Sequence, residues 1–119
     1  MIIGIGVDLT EIQRIKAAYE KNQNFAKKVL TLDELTVFLN FPENSQRRFE
    51  FLAGRFSAKE AYAKAFGTGI GPVGLQDIEI LDVPDTGRPV ITKQPFIGTA
   101  LVSISHTSNL VMTEVVLQN

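Results

Sequence analysis

The chain has 119 residues, 45% of them apolar, with a net charge of −1 and a pI of about 5.8. That is the size of a single domain, expected to span residues 1–119, with a moderate core, so self-association is a natural way to bury more surface. The near-neutral charge gives no case for nucleic-acid or membrane-surface binding, and the lack of cysteine excludes disulfides, thiolate metal sites and cysteine nucleophiles. No apolar run has the length of a bilayer span, and Asp8 and Glu11 fall too early for a secretion signal, so a soluble, cytoplasmic protein is expected.

The first apolar run, Ile2 to Val7, reads as a buried strand, and Gly4 and Gly6 within it suggest that another backbone packs closely there. Thr10-Glu11-Ile12-Gln13 has the form of a capping box, which predicts a helix over about Glu11 to Lys21. Asp8 then stands where strand gives way to helix, either bonding the turn or facing a cleft. Arg14, Ala17, Ala18 and Lys21 share one side of this helix, and Ile12, Ile15 and Tyr19 another. The basic side, extended by Lys27 and Lys28, is either a solvated face or a dock for an acidic partner.

Thr31 and Glu34 repeat the capping-box spacing and open a short helix ending near Phe41-Pro42. A long helix follows from Asn44 or Ser45 to about Phe66, roughly 33 Å in length at 1.5 Å per residue. Arg47 and Arg48 lie in its first turns, where positive charge opposes the helix dipole and a bound anion would offset the cost. Phe49, Leu52, Phe56, Ala63 and Phe66 form an apolar stripe facing a core. On another stripe Ala53, Ser57, Glu60 and Lys64 follow at helical spacing, which leaves room around a carboxylate and an ammonium. An ordinary ion pair on a solvated helix accounts for the same residues.

Gly67 to Gly74 is glycine-rich, but it follows a helix and lacks Gly-Lys-Ser/Thr, so it reads as a helix stop and a mobile loop rather than a phosphate loop. Strand signals come next. Ile78 to Leu81 and Pro89 to Ile91 flank a turn over residues 84–88, and Ala100 to His106 and Leu110 to Leu117 form two more strands. The expected class is α/β of the α+β kind: one long central helix on a mostly antiparallel sheet.

Ser105 and His106 are neighbours on a strand and point to opposite faces, so they cannot act as nucleophile and base to each other. His106 is the only histidine, which excludes sites needing several imidazoles, and any metal would be held by oxygens. Asp8 and Glu60 would suffice for Mg²⁺, which keeps several waters and takes further ligands from substrate phosphates. Lys64, His106, Arg47, Arg48 and Arg55 are then candidates to neutralise phosphate charge. Spacing alone does not bring these groups together.

Three segments in this order resemble the holo-[acyl-carrier-protein] synthase family, the short bacterial type of 4′-phosphopantetheinyl transferase. They are Gly4 to Ile15 (GIGVDLTEIQRI), Phe51 to Gly71 (FLAGRFSAKEAYAKAFGTGIG) and Ser103 to Thr107 (SISHT). Asp77 to Ile80 and Gly87 to Pro89 fit the same pattern. The resemblance implies transfer of the phosphopantetheine arm of coenzyme A to a serine of apo acyl carrier protein, leaving adenosine 3′,5′-bisphosphate, a step of fatty acid biosynthesis. Carried over, Asp8 and Glu60 are the Mg²⁺ ligands and Lys64 a phosphate contact. Gly67, Gly87, Arg88, Pro89, His106 and Thr107 fall along the coenzyme A site, with Arg47, Arg48 and Arg55 near its 3′-phosphate. The family implies a homotrimer with sites between protomers, and a carrier dock on the first helix at Arg14, Ile15, Ala18 and Lys21. Glu60 or Asp8 is the candidate base. Two competing readings keep the same residues without the reaction: a silent phosphate- or nucleotide-binding module, and a trimeric interaction protein.

Overall fold

In the computed structural model the chain is described over residues 1–67 and 73–119. The elements run β1 (Ile2–Glu11), α1 (Ile12–Lys21), α2 (Asn24–Val29), α3 (Leu32–Asn40), α4 (Gln46–Phe66), β2 (Glu79–Asp82), β3 (Pro89–Lys93), β4 (Thr99–His106) and β5 (Leu110–Gln118), with a short 3-10 turn at Leu75–Asp77. All strand pairing is antiparallel, in a three-stranded sheet ordered β1-β5-β4 and a hairpin of β2 and β3 set beside β4. No helix of the described residues is long and apolar enough to cross a membrane.

The expected long helix is α4. Ser45 caps its start, with Oγ accepting from Arg48 N at 3.3 Å, and Gly67 ends it at φ 89°, in the left-handed region where a Cβ is strained. Its sides are less one-faced than the apolar stripe suggested: fourteen of its 21 residues are buried, because it lies across β1 and β5 and is covered by α1, α2 and α3. One core fills the space between α4 and α1–α3, around Ile15, Phe38, Phe49 and Leu52. The other fills the space between α4 and the strands, around Tyr62, Ile78, Ile80 and Val115.

The close packing inferred from Gly4 and Gly6 is present, and α4 is the backbone concerned. A Cβ on Gly6 would overlap the carbonyl oxygen of Ala61, and one on Gly4 that of Ala65. Gly54, by contrast, has only the Ile104 methyl at 3.5 Å, an ordinary contact. Gly6→Ala is therefore expected to cost about 2–3 kcal/mol, at the upper end of overpacking, whereas Gly54→Ala should be neutral or gain up to about 1 kcal/mol of helix propensity. Chemical denaturation of the two variants checks this opposition, and equal effects would refute it.

Three expectations need correcting. β1 was expected to be a buried strand ending at Asp8, but it continues through Glu11, paired with Leu110 of β5, and its branched residues Ile3, Ile5, Val7 and Leu9 point outward and are exposed. The glycines occupy the inward side, where only they fit beneath α4. The capping box at Thr10 does not form. Pairing with β5 holds Thr10 in the strand, so α1 starts after Glu11 with no side-chain cap, and Ile12 N donates to Asn109 O at 2.9 Å instead. A six-residue helix, α2, was not expected at all.

The capping box at Thr31 and Glu34 does form, with Glu34 N donating to Thr31 Oγ1 and Thr31 N to Glu34 Oε1. The β2–β3 hairpin turns over residues 84–88, with Gly87 at φ 72°. Of the loop expected from Gly67 to Gly74, residues 68–72 lie outside the described part.

Candidate active site

Asp8 and Lys64 meet where β1 passes under the last turns of α4. Lys64 Nζ donates to Asp8 Oδ1 at 3.2 Å and to Val7 O at 3.0 Å, and its side chain is half exposed while that of Asp8 is 13% exposed. The second carboxylate oxygen, Asp8 Oδ2, accepts from Thr10 Oγ1 at 2.7 Å and from Ser57 Oγ at 2.8 Å. Ser57 Oγ also lies 2.8 Å from Thr113 Oγ1, and Thr113 stands directly across from Asp8 in the β1–β5 ladder.

Glu60, one helical turn from Lys64, completes the group. Partial burial holds its carboxyl above the usual glutamate range, and the nearby negative charge of Asp8 pushes it the same way; Lys64 and Arg14 pull it back down. Glu60 thus feels Asp8, Lys64 and, from α1, Arg14. A carboxyl whose ionisation a neighbouring carboxylate opposes is a setting that a hard cation relieves, and Asp8 and Glu60 both offer only oxygen donors. The pair therefore fits Mg²⁺. Among the described residues there is no cluster of three or more His, Cys, Asp or Glu side chains, so such an ion would draw its other ligands from water and substrate.

The remaining candidates divide. Arg47, Arg55, Gly87, Pro89 and His106 line one cleft of about 190 Å³, together with Glu50, Gly54 and Asp82. His106 Nδ1 lies 3.7 Å from Glu50 Oε2. Arg47 is exposed, its guanidinium 5.6 Å from the Phe41 ring. Arg55 is buried beneath the cleft, donating to Ile80 O and to Asp82 Oδ1 at 2.9 Å, so its charge is already matched.

Others are occupied elsewhere. Arg48 is 5% exposed: it donates to Glu43 O and its guanidinium sits 4.4 Å from the Phe38 ring centre, so it is a core residue and cannot reach a phosphate as placed. Arg88 is exposed and lines a separate groove between β3 and β4. Thr107 closes the β4–β5 turn, its Oγ1 accepting from Asn109 N and Leu110 N. Gly67 caps α4 with open space around it. On α1, Arg14 and Lys21 are exposed and Ala18 half-buried, but Ile15 is 2% exposed and belongs to the core, so it cannot touch a partner. Ala53 and Ser57, expected to leave room around Glu60 and Lys64, are wholly buried, Ser57 against Asp8 and Thr113 of the sheet.

Sequence reasoning missed Thr10, Ser57 and Thr113 as partners of Asp8, and Glu50 as neighbour of His106. The Asp8–Thr113 pairing could have been found only from strand register, which the sequence does not print.

Known proteins carry the same pattern. The sequence profile of the 4′-phosphopantetheinyl transferase superfamily matches residues 4–116. A holo-[acyl-carrier-protein] synthase of Lacticaseibacillus casei is 56% identical over 118 residues, covering 99% of this chain and 93% of that one. One from Streptococcus agalactiae is 53% identical over 118 residues, covering 99% and 98%. Among solved structures, the holo-(acyl-carrier-protein) synthase of Bacillus anthracis in complex with CoA (3′,5′-ADP) superposes with a TM-score of 0.89 at 41% identity, covering 98% of this chain and 96% of that one. The enzyme of Neisseria meningitidis gives 0.88 at 35% identity, with full coverage of both. Agreement in sequence over nearly the whole chain, and in fold at this level, places the protein in the 4′-phosphopantetheinyl transferase superfamily.

Proposed function

We propose that the chain, as one transferase domain, moves the 4′-phosphopantetheine arm of coenzyme A to a serine hydroxyl of an apo acyl carrier protein in the cytoplasm. The observation that carries this reading is the meeting of Asp8, Glu60 and Lys64 at one end of α4. The serine oxygen forms a bond to the pantetheine-side phosphorus of the pyrophosphate, the bridging P–O bond breaks, and adenosine 3′,5′-bisphosphate departs. The serine proton passes to Glu60, the carboxylate that stands with Asp8 and Lys64 at this end of α4. Asp8 and Glu60 would hold Mg²⁺, which when bound supplies charge neutralisation on the pyrophosphate. Lys64, exposed and reaching from α4, adds a movable positive charge for the transferred phosphoryl oxygens.

The carrier docks along Arg14, Ala18 and Lys21, and the influence of Arg14 on Glu60 supports a dock that borders the reacting group. Incubation with coenzyme A, Mg²⁺ and an apo carrier is expected to add one phosphopantetheine mass to the carrier by mass spectrometry. No mass change with any of several bacterial carriers would overturn the reading.

The chain works as a homotrimer. Two observations support this. The outer side of the sheet exposes Ile5, Val7, Leu9, Leu101 and Met112, an apolar face that water leaves unsatisfied. The His106 cleft, at about 190 Å³, is also below the ~300–1,000 Å³ of a complete small-molecule site and shares no lining residue with the Asp8 group. A neighbouring protomer's cleft therefore completes each carboxylate site. Mixing an Asp8→Asn chain with a His106→Ala chain should restore turnover above either alone; no recovery after confirmed subunit exchange would place both groups in one protomer's site.

A further inference from the structure

We propose that Thr113, Ser57 and Thr10 form a directional set of hydroxyl hydrogen bonds that fixes the Asp8 carboxylate before its cation arrives, which makes them positioning residues for the transfer. The inference rests on the reading of Asp8 as a metal ligand. Its direction follows from proton counting. An ionised carboxylate can only accept, so the contacts of Thr10 Oγ1 at 2.7 Å and Ser57 Oγ at 2.8 Å are both donated to Asp8 Oδ2. Ser57 has one hydroxyl proton, and it is spent there. Across the 2.8 Å contact between Ser57 Oγ and Thr113 Oγ1, Ser57 must therefore accept and Thr113 must donate. The chain runs one way, from Thr113 through Ser57 to Asp8.

The geometry has a consequence at the other oxygen. Asp8 Oδ2 receives two protons from inside the protein, while Oδ1 faces Lys64 Nζ at 3.2 Å. Turning the carboxylate plane would break both hydroxyl bonds at once. Oδ1 holds only the half-exposed Lys64 ammonium, so it is the oxygen a cation reaches when that side chain swings away, whereas chelation by both oxygens would have to displace two buried donors. Water cannot replace them, since Ser57 and Thr113 are fully buried and Thr10 nearly so. Each hydroxyl comes from a different element, α4, β5 and β1, so Asp8 is oriented by the way the sheet and the long helix are fitted together. Neighbours that orient a metal ligand in this way are worth about 10- to 100-fold in metal affinity.

The test measures binding rather than turnover. Mn²⁺ is titrated by electron paramagnetic resonance into the protein with coenzyme A present and no carrier, with folding checked by circular dichroism. Ser57→Ala is expected to weaken Mn²⁺ binding about tenfold, and Ser57→Ala with Thr10→Val to approach the roughly 100-fold end of that range. Thr113→Val, which keeps the volume of the side chain, should weaken binding by less than Ser57→Ala. It should add nothing in the Ser57→Ala background, and Thr113→Ser should restore wild-type binding. A purely structural role for the hydroxyls would shift thermal stability and leave Mn²⁺ affinity in place. Loss of binding in Asp8→Asn with wild-type binding in both Ser57→Ala and Thr113→Val would overturn the positioning role and leave Asp8 as ligand. Wild-type binding in Asp8→Asn would remove both ideas. Additive losses for Ser57 and Thr113 would overturn the one-way chain.

Discussion

Glu60→Gln is expected to lower turnover by about 10²- to 10⁴-fold, the range for losing a positioned general base, while the folded protein becomes slightly more stable than wild type. The two halves of this result have one cause. Partial burial and the charge of Asp8 raise the Glu60 pKa above the ordinary 4.5, so folding favours the protonated form. Between the unfolded and the raised folded value, the native protein binds more protons than the unfolded chain. Stability therefore falls as pH rises through that window, and the penalty is fully present at neutral pH. Glutamine is neutral and removes the penalty. The same shift sets the acid limb of the pH–rate profile: activity should fail on acidification at a pH above that of an ordinary glutamate. Saturating Mg²⁺ should move the limb downward, because a bound cation favours the carboxylate. Thermal denaturation and a pH–rate profile test both halves, and unchanged turnover would clear Glu60 of any chemical role.

The second large effect lies outside the site. Lys59 Nζ and Glu34 Oε1 are 2.6 Å apart and both side chains are fully buried. Lys59 also donates to Val29 O at 2.7 Å, and Glu34 Oε2 accepts from Ile80 N at 2.7 Å. One ion pair thereby joins α4 to the end of α2, the start of α3 and the first strand of the hairpin. Burial holds the Lys59 ammonium below its usual range, against the opposing pull of Glu34, so removing Glu34 would leave an unpaired charge in the core. Glu34→Ala is expected to cost about 3–5 kcal/mol, a large part of the ~5–15 kcal/mol that stabilises a domain. The matching fall in Tm is roughly 10–20 °C for a chain of this size. Glu34→Leu combined with Lys59→Met should recover part of the loss, since no lone charge remains. Recovery stays incomplete because Ile80 N and Val29 O lose their partners. A single variant as stable as wild type would show that the pair contributes no net stability.

These two sites also show how far local pattern reaches. Glu60 and Lys64 were legible as helical neighbours, and α4 was bounded closely because a serine cap and a terminal glycine act within a few residues. The Thr31–Glu34 box was legible for the same reason, but the second partner of Glu34, Lys59, lies 25 residues away and left no local mark. Thr10 shows the opposite failure. A threonine hydroxyl suits a helix cap or a carboxylate equally well, and the β1–β5 ladder decided for the carboxylate. Arg48 carries the same charge as Arg47 one residue earlier, yet the turn of the helix sends it onto Phe38 and away from solvent. The short α2 escaped notice because it has six residues and no side-chain cap.

By itself the sequence determined where the long helix and most of the strands lie along the chain, the absence of thiol and multi-imidazole chemistry, and the spacing that sets Glu60 and Lys64 one turn apart on that helix. Propensity, capping and composition act locally, so residue order is enough to settle them. Only the tertiary structure decided which basic side chains remain available and what holds Asp8. Its partners Ser57 and Lys64 lie 49 and 56 residues away along the chain. Contacts at that separation depend on strand register and on how closely α4 lies against β1, and the glycines at 4 and 6 are what permit that approach.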